Sequence, residues 1–192
     1  MKFRFLFVVV LLSLAVVSNA GAQATEPAPS LAGTGFTNNQ IALSPIVTVR
    51  HNPLSSGYGA DGTVSHYFTR YLGFSADADV YRSDQWLQAG YGFRGGPTVR
   101  FRRASRLQPF ARALFGYARL KEIQTGPTRP YIDGFSYVLG GGADVMLVGR
   151  FAARLAADFE NDPGVGRSNE NLHNRLIRIG VGVSYHFGKY GR

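Results

Sequence analysis

Hydrophobic residues recur at every second position along much of this chain, most regularly near its end. There Ile177, Ile179, Val181, Val183, Tyr185 and Phe187 alternate with Arg178, Gly180, Gly182, Ser184 and His186. A period of two places the two sets on opposite faces of a strand, and an apolar outer face opposed to a polar inner one is what a lipid-facing barrel strand requires. The pattern returns upstream. Phe74, Ala76, Ala78 and Val80 oppose Ser75, Asp77, Asp79 and Tyr81; Tyr137, Leu139, Gly141, Ala143 and Val145 oppose Gly140, Gly142 and Asp144; Ala153, Leu155, Ala157 and Phe159 oppose Arg154, Ala156, Asp158 and Glu160. Eight strands are predicted, at 40–51, 56–68, 72–82, 87–101, 107–120, 135–147, 151–160 and 175–187. The first is the least regular, because Pro45 interrupts Ile41, Leu43, Val47 and Val49. Proline has no amide proton to give to a ladder, so a bulge or a missing ladder bond is expected there.

The connections organise these strands. Short turns fall around Thr69-Arg70-Tyr71, Arg102 to Arg106, and Val148-Gly149-Arg150, whereas Lys121 to Gly134 and Asn161 to Asn174 form longer loops. Short turns at one end and longer loops at the other are the asymmetry of an outer-membrane barrel with both termini on the periplasmic side. Asn52 to Ser55, a short outer connection, makes that asymmetry imperfect. The fold class expected is all-β, an eight-stranded antiparallel transmembrane up-and-down β-barrel. Eight strands enclose a lumen just wide enough to be filled by side chains, which excludes a wide porin.

The N-terminus adds an export signal. Lys2 and Arg4 precede an apolar run from Phe5 to Val17 broken only by Ser13, and Ser18-Asn19-Ala20 supplies small residues for cleavage. That run is shorter than the roughly 20 residues of a spanning helix. Residues 1–20 are read as a signal peptide, with Ala22 and Ala24 as alternative cleavage positions. Residues 21–38 carry Pro27, Pro29, Gly33 and Gly35 and are read as a flexible periplasmic lead-in, 39–188 as the barrel, and 189–192 as a C-terminal tail. No later stretch approaches 18 uninterrupted apolar residues, which excludes an ordinary helical membrane protein.

Composition sharpens this picture modestly. The chain has no Cys, and a closed barrel satisfies its backbone within one sheet without disulfide staples. The formal charge of +9 falls to +7 when Lys2 and Arg4 are removed. Such a charge suggests nucleic acid first, but the basic residues are mostly single arginines at strand positions of an exported chain. Anionic lipid headgroups or an anion-friendly lumen fit better, and no nucleic-acid partner is expected.

Three stretches carry a family resemblance: Pro109-Phe110-Ala111-Arg112-Ala113-Leu114-Phe115-Gly116, Leu139-Gly140-Gly141-Gly142-Ala143-Asp144, and Ile179-Gly180-Val181-Gly182-Val183-Ser184-Tyr185-His186-Phe187. From Tyr71 to its end the chain resembles the outer-membrane protein β-barrel domain family, which includes the small OmpA-type and OmpX-type barrels. The resemblance implies that Gly182, Tyr185 and Phe187 form a β-signal read by the barrel assembly machinery. Family members commonly end on the aromatic, whereas this chain continues through Gly188-Lys189-Tyr190-Gly191-Arg192.

Alternation sends Arg50, Asp61, Asp77, Asp79, Arg94, Arg100, Arg112, Asp144, Arg154, Asp158 and Arg178 into the lumen. Guanidinium groups engage several carboxylate oxygens at once, so a network of ion pairs is expected to fill the interior. Arg154 is expected to share it with Asp144, Asp158 and Arg178. A catalytic barrel would need a nucleophile, a histidine and an orienting carboxylate together. Ser65 and His66 are adjacent and therefore point to opposite faces. Ser184 and His186 share a face, with Asp158 or Glu160 available on the neighbouring strand, but a satisfied polar pair is the plainer reading. His51, His66, His173 and His186 show no metal spacing, and Asn161, Asp162, Asn169 and Glu170 lack the order of a calcium loop. No catalytic, cofactor-binding or metal residue is assigned, and no cofactor is expected.

The function expected is that of a structural or surface-interaction barrel, not an enzyme, with its lumen plugged by Arg/Asp pairs. A narrow pore or small-molecule transport barrel is the alternative, and a lipid hydrolase using Ser184 and His186 the remoter one. Outer-membrane lipids, the assembly machinery through the last strand and an extracellular ligand at the outer loops are the partners expected, in the cell outer membrane.

Overall fold

The computed structural model describes residues 36–50, 55–83, 87–101, 106–122, 131–162 and 174–191. They form eight strands: β1 (Phe36–Arg50), β2 (Ser55–Tyr67), β3 (Leu72–Ser83), β4 (Leu87–Arg100), β5 (Leu107–Glu122), β6 (Tyr131–Met146), β7 (Phe151–Asp162) and β8 (Asn174–Gly191). Each pairs antiparallel with its neighbour in sequence, and β1 pairs with β8 to close the barrel. Closure pairs every strand on both sides and leaves no open sheet edge to face lipid.

Two-residue periodicity decides which side chains turn inward. Leu155 is 56% exposed and Val181 40%, while Arg154 and Asp158, on the alternate positions, are 4% and 5% exposed. Ile41, Leu43, Val64, Phe74, Val80, Phe93, Phe115, Leu139, Ile177 and Val183 continue the apolar outer wall around all the strands. At the turn end, Phe151, Tyr185 and Phe187 form an aromatic group, with Tyr185 stacked on Phe187 at 6.0 Å between ring centroids. Aromatic residues at that level suit the boundary between hydrocarbon and headgroups.

Pro45 sits on the outer face and keeps its register with Ala60 of β2. Toward β8 the ladder passes from Leu43 opposite Val183 to Ile46 opposite Gly180, with neither a pair at Pro45 nor a shift in register. The missing ladder bond, rather than a bulge, is how the strand absorbs its proline. Pro97 in β4 behaves alike, keeping its place opposite Phe74 while the ladder to β5 skips from Gly95 to Thr98.

Register shifts lie elsewhere, one between Leu87 and Ala89 of β4 and one in β1. The latter falls between Thr37 and Asn39, where Gly188 of β8 adopts φ +106°. A glycine takes that left-handed conformation without steric strain, and the extra residue lets pairing resume with Thr37 opposite Tyr190 and Phe36 opposite Gly191. The last strand therefore continues through Gly191, into what alternation alone assigns to the tail, and β1 starts within the expected lead-in. β6 likewise begins at Tyr131 rather than 135. Despite Pro130 and Gly134, residues 131–134 pair with 118–121 of β5.

If these faces are correct, a fluorophore on Leu155→Cys or Val181→Cys in reconstituted protein is quenched strongly by spin-labelled acyl chains. Ala152→Cys and Ala156→Cys stay unlabelled until the barrel is unfolded. Rapid labelling at 152 and 156 with protection at 155 and 181 means a one-residue slip, which reverses every face.

Candidate functional site

Most of the chemistry-bearing side chains among the described residues converge in the lumen. Ten of the eleven charged residues predicted to face inward are buried there: Asp61, Asp77, Asp79, Arg94, Arg100, Arg112, Asp144, Arg154, Asp158 and Arg178. The eleventh, Arg50, has a side chain outside the described residues. Glu160, at the loop end of β7 and on the same face as Asp158, joins them fully buried.

These charges divide into two groups along the axis. In the central group Arg94 donates to Asp79 at 3.1 Å, to Glu160, and through Nε to Ser136 at 2.6 Å. Arg178 bonds the other oxygen of Asp79 and reaches Asp158 at 3.3 Å and Glu160 at 3.5 Å. Arg112 grips Asp158 with two parallel bonds of 3.1 and 2.5 Å, donates to Thr63 at 3.0 Å, and lies 3.7 Å from Asp61. Asp77 stands among all three guanidinium groups, 3.6 Å from Arg94, 3.5 Å from Arg112 and 3.6 Å from Arg178. The planar, five-donor guanidinium suits such branching, because one arginine serves several carboxylates on different strands.

The second group lies toward the turn end. Asp144 accepts two bonds from Arg154, at 2.8 and 2.9 Å, one from Gln40 at 2.6 Å and one from Ser184 at 3.2 Å. Arg154 also stacks over Phe110 at 4.5 Å, and Arg100 over Tyr67 at 3.9 Å while donating to the Thr37 carbonyl. Cation–π contacts of this kind stabilise a guanidinium where carboxylates are few. Arg154 thus belongs with Asp144. Asp158 and Arg178, expected beside it, lie further along their strands and join the central group.

Glycines make the room these side chains occupy. A Cβ on Gly92 would lie 2.6 Å from both Arg94 Nη2 and Asp79 Oδ1, and one on Gly140 would lie 2.0 Å from Asp158 Oδ1. Toward the loop end the polar groups give way to an apolar layer of Ile46, Tyr81, Leu120 and Leu176, contributed by four different strands. Alternation already set Tyr81 on the inner face with Asp77 and Asp79, but Ile46, Leu120 and Leu176 escape a reading that assigns apolar residues to the outside. Gln40 and Tyr67, inward at the turn end and joined by a 3.4 Å bond, escaped it too.

Ser184 and His186 do meet, with Ser184 Oγ 3.2 Å from His186 Nε2. The carboxylate beside them is Asp144 of β6, not Asp158 or Glu160, and it accepts from the serine hydroxyl while Gln40 lies 3.1 Å from His186 Nε2. Both residues are buried in a crowded polar cluster. Ser65 and His66 part as their adjacency requires, Ser65 bonding Ser75 inside and His66 bonding Asn39 outside. Among the described residues no group of three or more His, Cys, Asp or Glu is arranged to hold a metal ion. His51, His173, Asn169 and Glu170 lie outside them.

Removing one arginine leaves desolvated carboxylates uncompensated, at a cost of roughly 3–5 kcal/mol. Arg178→Met, which strips Asp79, Asp158 and Glu160 of a shared partner, lowers the denaturant midpoint of refolded protein more than Arg154→Met. Arg167→Met, in the polar loop after β7, leaves it unchanged. Equal midpoints for all three in one detergent contradict a buried network.

No protein-family model and no curated protein matches this chain. Its fold is similar to solved barrels at low sequence identity. Neisserial surface protein A superposes with a TM-score of 0.60 at 13% identity, over 78% of this chain and 96% of that one. Outer membrane protein OprG of Pseudomonas aeruginosa gives 0.56 at 11% identity, over 81% and 99%. The N-terminal β-barrel domain of OprF from the same organism gives 0.52 at 15% identity, over 79% and 99%. The chain has the fold of the small eight-stranded outer-membrane β-barrels, and the apolar belt around it suits a lipid bilayer.

Proposed function

We propose that this protein is a structural or surface-interaction barrel whose lumen is closed to ions and whose loop end serves external contacts. The observation that carries this reading is the apolar layer of Ile46, Tyr81, Leu120 and Leu176 set over a dense net of ion pairs. An ion crossing the barrel must displace that layer and then separate charges that neutralise one another. Hydrophobic constrictions oppose conduction by excluding water, and eight strands leave little lumen beyond the side chains themselves.

Outer-membrane lipids are the partners suited to the apolar wall, and β8, with Gly182, Tyr185 and Phe187, is the segment offered to the assembly machinery. An extracellular ligand would meet the connections at 123–130 and 163–173. The Ser184 and His186 pair is read as part of the polar packing around Asp144, so no catalytic role is proposed for it.

A narrow cation path is the second reading. It is favoured by one observation, the five carboxylates that face three guanidinium groups in the central cluster. Planar-bilayer recordings separate the two. The closed reading predicts no resolved current steps from monodisperse protein, and steps appearing only when Leu120→Ser and Leu176→Ser are combined. Repeated, long-lived, cation-selective channels from the unaltered protein overturn it in favour of the pore.

A further inference from the structure

The outer wall is not uniformly convex. Over β2, β3 and β4 small residues leave an open groove of about 380 Å³, floored by Gly62, Ala76, Ala78 and Gly95 and walled by Val64 and Phe93. These positions are neighbours in the sheet, with Gly62 opposite Ala78 and Ala76 opposite Gly95. Barrel packing does not demand a glycine at position 62. A Cβ there would meet nothing nearer than Leu43 Cδ2 at 3.4 Å, an ordinary contact. The depression is therefore a feature of the lipid-facing surface and not a by-product of crowding in the lumen.

Cations lie above it on the same face. Arg82 of β3 and Lys121 of β5 are exposed at the loop-end rim, and Arg119 stands between them and Asp133, 3.0 Å from that carboxylate and 3.4 Å from the Tyr91 hydroxyl. Tyr58, opposite Arg82 across the β2–β3 ladder, is exposed beside them. Arg82 lies six positions beyond Ala76, a span of about 20 Å along the strand, or about 15 Å of depth at a typical barrel tilt. Half the hydrocarbon thickness of a bilayer is also about 15 Å. Groove and rim are thus spaced as the distal part of an acyl chain and the headgroup of a single outer-leaflet lipid.

We propose that this face is a binding site for a phosphate-bearing, multiply acylated outer-leaflet lipid. One acyl chain lies in the groove beside Phe93, and the phosphate is held by Arg82 and Lys121, with Arg119 and the tyrosine hydroxyls at its edge. Guanidinium and ammonium groups complement phosphate, and at the membrane surface they do so without full competition from water. The assignment rests on the reading that the loop end faces outward and the apolar wall meets lipid.

The test uses the full protein reconstituted in phosphatidylcholine nanodiscs doped with lipid A, extracted gently, and weighed intact with its bound lipid. The unaltered protein retains one lipid A. Retention falls about tenfold, the equivalent of roughly 1.4 kcal/mol, both in Gly62→Leu/Ala78→Leu, which fills the groove, and in Arg82→Ser/Lys121→Ser, which neutralises the rim. Dephosphorylated lipid A is retained as weakly as by the rim variant. Both variants alter only outward residues, so the heat-modifiable mobility of the folded barrel verifies that the fold is intact. Loss in the rim variant alone would mean simple headgroup attraction, and equal retention by all three proteins would mean no site; either overturns the proposal. Cross-linked dimers that vanish on filling the groove overturn it in favour of a second copy of this chain. Current from the unaltered protein would instead sink the closed-lumen reading and leave lipid retention untouched, whereas uniform failure to enter nanodiscs would sink the membrane reading itself.

Discussion

A guanidinium inside an eight-stranded barrel has neither bulk water nor a headgroup to solvate it, and this constraint organises the lumen. Each buried arginine must be answered by carboxylates, hydroxyls or aromatic faces brought from other strands, because an unpaired charge there costs several kcal/mol. The answers come from distant parts of the chain. Arg94 of β4 is met by β3, β6 and β7, Arg178 of β8 by β3 and β7, and Arg112 of β5 by β2, β3 and β7. The network therefore ties non-adjacent strands across the lumen, complementing the ladders that tie adjacent ones. Register and charge support one another, since a slip of one residue would turn these charges out to lipid.

Space is the second half of that constraint. A narrow lumen holds several arginines only if other inward positions give up their side chains, which is what Gly92 and Gly140 do beneath Asp79, Arg94 and Asp158. Toward the loop end the demand reverses, and Tyr81, Ile46, Leu120 and Leu176 fill the cross-section with apolar bulk. On the outside, small residues have a different consequence. Gly62, Ala76, Ala78 and Gly95 lower the surface locally and give the wall a groove that lipid can enter.

Much of this was legible in the sequence for a simple reason: where one face meets lipid and the other meets charge, alternation is strict. Thus Leu155 and Arg154, or Val181 and Arg178, declare their faces without help from neighbours. Alternation fails where its physical basis fails. Leu176 precedes Ile177, and Ile46 follows Pro45, so two apolar neighbours on opposite faces cannot be told apart by polarity. At Gly188 the bulge shifts the period by one residue and hides the continuation of β8. The partners of individual charges were legible only in part: Asp144, which faces Arg154 across the β6–β7 ladder, was among those expected for it, but the stagger of strands around the barrel sends Asp158 to Arg112. Activity leaves no comparable mark. The Ser184 and His186 pair was visible by spacing, yet only the fold reveals Asp144 beside the serine.

The central claim, that desolvated ion pairs hold the lumen together, is tested most directly by a double-mutant cycle on Asp144 and Arg154, the most self-contained pair. Asp144→Leu, Arg154→Met and the double variant are compared with the unaltered protein by denaturant unfolding in one lipid environment. The account predicts that each single change destabilises strongly while the double variant recovers part of the loss, with a coupling of about 1–3 kcal/mol, because removing both leaves no orphan charge. Losses that simply add, to within about 0.5 kcal/mol, would contradict it.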